Sequence, residues 1–302
     1  MIDGILNVYK ERGWTSHDVV AKLRTILHQK KIGHTGTLDP EAEGVLPVCL
    51  GRATKVCDLL TDHGKTYRAV LLLGTTTDTQ DLTGTVLEQR PVLSTEDEVR
   101  DCILGFTGVQ EQLPPMYSAL KVNGKKLYEL ARQGVEVERK PRRITIDEIR
   151  IERIELPEAE FTVRCSRGTY IRTLCHDIGQ RLGCGGAMKS LLRTQAGPYG
   201  IGESLMVGAL AGLYEEGRIL EAVQPVDSVF DQLPALRLDG PADRLVRNGN
   251  PLSRETVETL LSRGEIPGLP EQYRVYGPDG DFLAVYGWNE AKHSYRAVKM
   301  FL

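Results

Sequence analysis

No C-x-x-C motif occurs in the 302-residue sequence, although it contains six cysteines. Zinc ribbons and small disulfide-rich secreted domains both need closely spaced cysteines, so the sequence supports neither class. We interpret the cysteines as buried or unreactive thiols, because free cysteine often behaves as a small core residue. No metal site is therefore expected. The cysteines are Cys49, Cys57, Cys102, Cys165, Cys175 and Cys184.

Long hydrophobic runs are also missing. No segment approaches the ~20 apolar residues that a membrane-spanning helix requires. The N-terminal segment MIDGILNVYKERGW has no cationic stretch followed by a long apolar one, which a secretory signal would show. The sequence therefore predicts a cytoplasmic protein that does not associate with a membrane.

An excess of positive charge is missing as well. The chain has 38 Lys and Arg residues against 41 Asp and Glu residues, which gives a net charge of −3. Net charge therefore provides no argument for a nucleic-acid partner. Local basic clusters do occur, and each is either a solvated face or a local contact for RNA. They are Lys30-Lys31, Lys121 with Lys125-Lys126, and the run from Arg139 to Arg143.

Several common catalytic motifs have no match in the chain. The patterns G-x-x-x-x-G-K-[ST], G-x-G-x-x-G, G-x-S-x-G and H-E-x-x-H are all absent. Nucleotide hydrolysis by a P-loop, dinucleotide redox chemistry and zinc proteolysis therefore lose support.

The hydrophobic patterns predict helices and strands in mixed order. A helix begins at Ser16, and Thr95 with Glu98 has the spacing of a capping box before a second helix. KTYRAVLLLG is typical of a strand buried on both faces, and a helix is predicted from Lys125 to Arg132. From about Pro234 the chain changes to short strands and turns.

These patterns predict an α+β fold rather than a regular βαβ alternation. We expect a catalytic domain over residues 1–233, built on a mixed, mainly antiparallel sheet with flanking helices. A small β-rich domain is expected over residues 234–302.

The segment GHTGTLDPEAEGVLP, residues 33–47, holds three Gly and two Pro. This content predicts a specific irregular loop, and Asp39 before Pro40 should be held at a defined angle. Asp39 has two possible meanings at this point. It is either a turn former or a catalytic carboxylate, and with Glu41 or Glu43 it would resemble the paired carboxylates of a glycosidase.

The chain resembles the TruB family of bacterial tRNA pseudouridine synthases, which isomerise uridine 55 in the TΨC arm of tRNA. The matching blocks are GHTGTLDPEAEGVLP, GRATKV, KTYRAVLLLGTTTDTQDLTG, PPMYSALKVNGKKLYELAR, SRGTYIRTLCHDIG and SLLRTQAGP. They follow the family order over about residues 4–200. The segment after residue 234 is similar to the small PUA-like RNA-binding module that often follows this catalytic domain. Glu11 and Glu43 depart from the family pattern.

The resemblance implies catalytic roles at matching positions. Asp39 is the essential carboxylate, Arg172 pairs with it, and Tyr67 stacks on the target base and is similar to a tyrosine that helps to remove the C5 proton. Leu191 closes the apolar wall of the pocket. An adjacent arginine is expected to lower the pKa of an enclosed aspartate and keep it ionised.

The resemblance also implies contacts with tRNA. His34 stabilises the loop from which the base is flipped, although a histidine in a Gly-rich loop also bonds readily to its own backbone. Tyr170 is assigned to substrate binding. Lys10, Lys55 and the basic residues between positions 121 and 143 are expected to contact phosphates.

The resulting hypothesis is a stand-alone isomerase acting on tRNA, without metal, organic cofactor or protein partner. Two alternatives remain at this point. The first alternative is a tRNA-binding folding factor whose catalysis is dispensable. The second is a nucleoside or sugar hydrolase that uses Asp39 with Glu43.

Overall fold

The computed structural model describes residues 1–122, 124–261 and 269–302. Its strands are β1 (Gly4–Lys10), β2 (Ile32–His34), β3 (Glu43–Leu50), β4 (Lys65–Leu73), β5 (Thr75–Thr77), β6 (Val86–Gln89), β7 (Gly108–Gln112), β8 (Lys121–Val122), β9 (Lys125–Lys126), β10 (Arg142–Glu155), β11 (Glu158–Cys165), β12 (Gly186–Ala196), β13 (Tyr199–Gly200), β14 (Leu205–Met206), β15 (Val223–Gln224), β16 (Ala235–Arg237), β17 (Gln272–Tyr276), β18 (Phe282–Asn289) and β19 (Ser294–Met300). Its α-helices are α1 (Ser16–Ile26), α2 (Cys57–Asp62), α3 (Glu96–Leu104), α4 (Leu127–Ala131), α5 (Ile171–Arg181), α6 (Val207–Glu215), α7 (Gly240–Arg247) and α8 (Arg254–Leu261).

One large sheet dominates the first 230 residues. Its strand order is β14-β1-β3-β12-β4-β11-β10-β7, and β2, β13 and β15 pair with its members. The pairs β1–β14 and β3–β12 are parallel, whereas the other pairings described for this sheet are antiparallel. The predicted α+β class with a mixed, mainly antiparallel sheet is therefore confirmed.

Both predicted helix starts are confirmed by their capping contacts. Helix α1 begins at Ser16 after the N-cap Thr15, whose hydroxyl accepts from the Asp18 amide at 3.0 Å. Helix α3 follows Thr95, and Glu98 completes its capping box. These contacts satisfy backbone donors that the first turn of a helix leaves free. The helix expected from Lys125 is shorter, because its first two residues form β9 and pair with β8.

Strand β4 departs from its prediction. Tyr67 and Leu71 are buried, whereas Arg68 is exposed and Val70 and Leu72 are half-buried, so one face of this strand is partly open to solvent. Both neighbours of β4 are antiparallel, and antiparallel sheets commonly leave one face solvated.

The predicted irregular segment 33–47 is only partly irregular. Its first two residues belong to β2 and its last five to β3, because β2 pairs with β3 in the sheet. Pro47 lies within β3, and its carbonyl accepts a hydrogen bond from the Thr35 amide at 3.1 Å. The remaining residues, 35–42, form the connection that we call the Asp39 loop.

A second sheet, in the order β16-β17-β18-β19, follows from Ala235 onward. The sequence analysis missed two helices here, α7 and α8. The segment Asp239-Gly240-Pro241 reads as a turn, but Asp239 caps α7 by accepting from the Ala242 amide at 3.2 Å. Proline is well tolerated in the first turn of a helix, which explains the misreading.

The two sheets share part of a hydrophobic core. Phe301, at the end of the chain, is 1% exposed and packs with Phe230 and Phe282 at ring-centroid distances of 5.9 and 4.8 Å. The same cluster contains Ile5 and Val45 of the large sheet. Residues after 234 therefore contribute directly to the packing of the first sheet. Within the described ranges, no helix is long and apolar enough to cross a membrane.

Candidate active site

The Asp39 loop is held by hydrogen bonds from outside the loop. The Leu38 amide donates to the Ser16 hydroxyl at 2.9 Å, and the ammonium of Lys10 donates to the Pro40 carbonyl at 3.1 Å. The Ala42 amide closes a turn by donating to the Asp39 carbonyl at 3.1 Å. Asp39 is thus held by backbone contacts on both sides, as expected for a reactive group that must keep one orientation.

Arg172 and Asp39 form an ion pair. The Arg172 Nε donates to Asp39 Oδ2 at 2.9 Å, and the exposed fractions of the two side chains are 6% and 40%. The other guanidinium nitrogens of Arg172 donate to the carbonyls of Thr79 at 3.0 Å and Tyr117 at 2.7 Å. Arg172 lies in the first turn of α5, where the helix dipole disfavours a cation. These contacts offset that cost, and they leave one Asp39 oxygen free of Arg172.

A second carboxylate, Asp81, lies beside this pair. Its Oδ2 is 3.7 Å from Arg172 NH1, while its Oδ1 accepts from the Thr79 hydroxyl at 2.7 Å and from the Thr83 amide at 3.0 Å. The sequence analysis treated this segment, GTTTDTQDLTG, only as a turn-rich connection. A signal was present, because aspartate flanked by threonines often bonds to the backbone two residues on.

Burial is the largest effect on the pKa of Asp39. Burial raises the pKa of Asp39, the Arg172 guanidinium lowers it, and the Asp81 charge raises it; the net shift is upward. The predicted ion pair is present in the structure, but the expected net lowering of this pKa is wrong. Removal of a carboxylate from water outweighs one adjacent guanidinium when a second carboxylate is close by.

An apolar wall lies next to the ion pair. Tyr67 on β4 and Leu191 on β12 are each 8% exposed, and both belong to a hydrophobic cluster that includes Leu38 and Ala42 of the Asp39 loop. Leu191 and Tyr67 come from adjacent antiparallel strands. Burial is the main effect on the pKa of Tyr67, which is raised. The wall therefore presents an aromatic ring with a protonated hydroxyl.

Tyr170 is fixed immediately before α5. Its amide donates to Gln112 Oε1 at 2.8 Å, and Gln112 Nε2 donates to its carbonyl at 3.0 Å. Burial raises the pKa of its phenol, and the nearby Ser118 side chain opposes that shift. Gln112 thereby ties the edge strand β7 to the start of the helix that carries Arg172.

His34 ends β2 and is half-buried. Its Nδ1 accepts from the Gly36 amide at 3.3 Å, which is the local backbone contact named above as the alternative. Burial and the charge of Arg193 lower the pKa of His34 below its usual 6.5. The ring is therefore mainly neutral at pH 7.

The two single lysines expected to contact phosphate both bond to backbone carbonyls, and Lys55 is half-buried. Lys10 is fully buried, and its ammonium donates to the carbonyls of Glu11, Trp14 and Pro40. Burial lowers its pKa to about 8. Lys55 donates to the carbonyl of Met300 at 2.8 Å. Sequence proximity to the motifs could not reveal that these groups bond to backbone carbonyls of distant segments.

The predicted basic segment between positions 121 and 143 differs from these lysines. Most of its cations are exposed, and Arg139 is the main exception because it donates to the Pro114 carbonyl at 3.0 Å. The exposed members are Lys121, Lys125, Arg132, Lys140, Arg142 and Arg143. This segment remains available for phosphate contacts.

The carboxylates near Asp39 in the sequence have separate partners. Glu41 pairs with Arg12 at 2.6 Å, and Glu43 accepts from the Tyr9 hydroxyl at 3.4 Å. The paired-carboxylate hypothesis therefore loses its geometric support, because the carboxylate beside the Asp39–Arg172 pair is Asp81 instead. In the part of the chain that the structure describes, no three His, Cys, Asp or Glu side chains are grouped so that they could hold a metal ion.

Comparison with known proteins gives consistent matches over the chain. Residues 24–171 match the family described as TruB family pseudouridylate synthase, N-terminal domain, and residues 172–231 match the tRNA pseudouridylate synthase B C-terminal domain. The tRNA pseudouridine synthase B of Lachnoclostridium phytofermentans is 50% identical, and that of Clostridium kluyveri is 44% identical, each over 100% of both chains.

Solved structures show the same architecture at lower identity. A structure of an H/ACA RNP bound to a substrate RNA containing 2′-deoxyuridine matches with a TM-score of 0.71 and 26% identity, over 99% of this chain and 85% of that chain. A Cbf5–Nop10–Gar1 complex matches with a TM-score of 0.70 and the same identity and coverage. The chain therefore belongs to the TruB family of pseudouridylate synthases.

Proposed function

We propose that this protein converts uridine 55 in the TΨC arm of tRNA to pseudouridine. The observation that carries the proposal is the 2.9 Å ion pair between Arg172 and Asp39 beside the wall formed by Tyr67 and Leu191. The reaction moves the base from an N1 to a C5 glycosidic bond, so the detached uracil must be retained while it rotates. One carboxylate nucleophile and a closed apolar wall meet this need without a metal or organic cofactor.

Each group in the pocket has a role in this proposal. Asp39 attacks either the base or C1′ of the ribose through its carboxylate. Arg172 favours the ionised form of Asp39 against burial. Tyr67 stacks on the uracil and, once its hydroxyl has given up its proton, takes the C5 proton. Leu191 excludes water from the detached base.

The relatives support tRNA as the substrate class. The curated proteins that match over the full chain are described as tRNA pseudouridine synthase B, and one matching structure is described as bound to a substrate RNA. These descriptions fit a site beside the Asp39–Arg172 pair at which the reacting base must be turned out of its stack.

Contacts with RNA outside the pocket are assigned to three regions. His34 at the loop entrance fills the space left by the flipped base, and Tyr170 lines the substrate side of α5. The exposed cations between positions 121 and 143 neutralise phosphates. Residues 234–302 form a PUA-like RNA-binding domain in this proposal, with Lys292 and Arg296 as exposed cations.

The proposal places the protein in the cytoplasm, where tRNA is processed, and needs no protein partner. Lys299 is excluded from the RNA contacts, because it donates to both carboxylate oxygens of Asp58 at 2.7 and 2.8 Å.

The test is incubation of the protein with unmodified tRNA, followed by digestion and separation of the nucleosides. Pseudouridine at position 55 is expected from the wild type. The Asp39→Asn variant should produce none, while its dissociation constant for tRNA stays within about threefold, since the amide keeps the shape of the loop. Asp101→Asn, on the exposed face of α3, is the matched control and should keep full activity.

The products separate the proposal from its alternatives. Free uracil would support a hydrolase, and unchanged uridine with tight tRNA binding would support a folding factor. Appreciable turnover by Asp39→Asn would refute the role of this carboxylate.

A further inference from the structure

Arg193 on β12 is a buried cation that the mechanism above leaves unused. It is 1% exposed, and its guanidinium donates to two backbone carbonyls: Nε to Val45 at 2.7 Å and NH2 to Gly36 at 3.2 Å. None of the carboxylates in the described ranges lies within ion-pair distance of it. Burial of a charged group without an opposite charge is costly, so a fold retains one where its charge or its donors are needed.

The strand register places Arg193 between the two parts of the active site. On one side it lies opposite Tyr67 of β4, and on the other it pairs with Gly44 of β3. Directly opposed residues of antiparallel strands project to the same face of a sheet, so Arg193 and Tyr67 are cross-strand neighbours. The register of β12 against β4 shifts immediately after Arg193. Such irregularities re-aim side chains next to active sites.

Gly44 permits this arrangement. A Cβ at position 44 would lie 2.2 Å from the Arg193 carbonyl oxygen, and its φ of +105° also favours glycine. Strands β3 and β12 therefore approach closely at the point where the Asp39 loop joins β3. The Arg193 side chain reaches from this junction to the carbonyl of Gly36, at the other end of the loop.

The Arg193 guanidinium also acts on the Tyr67 hydroxyl from the neighbouring strand. Burial raises the pKa of Tyr67, whereas the charge of Arg193 lowers it. Arg193 is thus a cation that stabilises an ionised oxygen at the end of Tyr67. Preorganised charge of this kind acts strongly in a site from which water is excluded.

We propose that Arg193 is a positioning residue for isomerisation: it holds the Tyr67 hydroxyl and the Asp39 loop in fixed relation and favours proton transfer from C5 of the base to Tyr67. The inference rests on the proposed function. In the route through C1′, Asp39 displaces the uracil, and the Tyr67 hydroxyl gives its proton to N1 of the detached base. C5 then attacks C1′ and releases the Asp39 carboxylate. The C5–H bond breaks, its electron pair forms the C5=C6 double bond while the C6=N1 π pair returns to N1, and the proton goes to the ionised Tyr67 oxygen.

The test compares single-turnover rates for tRNA with uridine and with 5-deuterouridine at the target position. Arg193→Lys keeps a buried cation but loses the forked donors, and it should slow the reaction by about tenfold with tRNA affinity unchanged. Because proton removal then limits the rate more strongly, the isotope effect should be larger than in the wild type. Arg193→Gln should slow the reaction further and give a still larger isotope effect. If one of the two variants does not fold, the other still tests the proposal.

Arg24→Gln is the matched control, since Arg24 also donates to a strand carbonyl, that of Ile32 at 3.1 Å. It should leave both the rate and the isotope effect unchanged. An unaltered rate in Arg193→Lys, or a slower rate with the wild-type isotope effect, would overturn the inference. A wild type that forms no pseudouridine in the same assay would instead overturn the proposed function.

Discussion

Replacement of Arg172 by methionine should move the acid limb of the pH–rate profile to higher pH. The Arg172 guanidinium is 2.9 Å from Asp39 and opposes the effect of burial, which raises the pKa of Asp39. Without that cation the pKa rises further. Asp39 acts as a nucleophile only when ionised, so the variant loses activity most at low pH.

The size of the shift follows from the geometry. An opposite charge within about 4–6 Å lowers a carboxyl pKa by roughly 1–3 units, and the 40% exposure of the Asp39 side chain allows solvent to screen part of this. We therefore expect a displacement of about 1–2 pH units. Below the pKa the ionised fraction falls tenfold per unit, so the deficit relative to wild type should shrink by about 10- to 100-fold as the pH rises.

The displacement is measured from single-turnover rates of pseudouridine formation between pH 4.5 and 8. Saturating enzyme is used so that the rate does not depend on tRNA affinity. Arg172→Lys is the matched variant, because it retains the charge and should shift the limb less. A loss by the same factor at every pH would refute the electrostatic role and leave Arg172 only the structural bonds to Thr79 and Tyr117.

Three further predictions follow from other contacts. Glu43→Gln should retain activity within about threefold in the nucleoside assay, because isomerisation needs one carboxylate; a collapse without loss of folding would revive the hydrolase. Asp39→Asn should raise the melting temperature at pH 7, because a carboxyl whose folded pKa is raised loses its stabilising contribution as the pH rises through that pKa. The gain in melting temperature should vanish near about pH 3, where the carboxyl is protonated in both states, and a gain that persists there would contradict the reasoning. Phe301→Ala should lower the free energy of unfolding by about 3–5 kcal/mol in chemical denaturation, since the ring is 1% exposed. The control Val298→Ala, at an exposed position of β19, should lower it by less than about 0.5 kcal/mol. Equal effects would show that the two sheets do not share a core.

The capping boxes show what local sequence can predict. The Thr95 hydroxyl and the Glu98 carboxylate close a contact over three residues, so the start of α3 depends on nothing distant. Two helices near the C-terminus were missed because Asp239 and Pro241 are equally suited to a turn and to the first turn of a helix. Val246 of α7 and Val257 of α8 pack into the hydrophobic core beneath the second sheet, and this packing favours the helical form.

Residue chemistry and motif order in the sequence determined the family, the α+β class and the expectation that Asp39 pairs with Arg172. Only the tertiary structure shows which cations bond to the backbone and which are exposed. Lys10, Lys55 and Arg193 bond to carbonyls of distant segments, and these contacts depend on strand neighbours that no short pattern encodes. The raised pKa of Asp39 also depends on the tertiary structure, because the desolvation of a carboxyl depends on all the groups that surround it. A sequence motif identifies only one of those groups, the paired arginine.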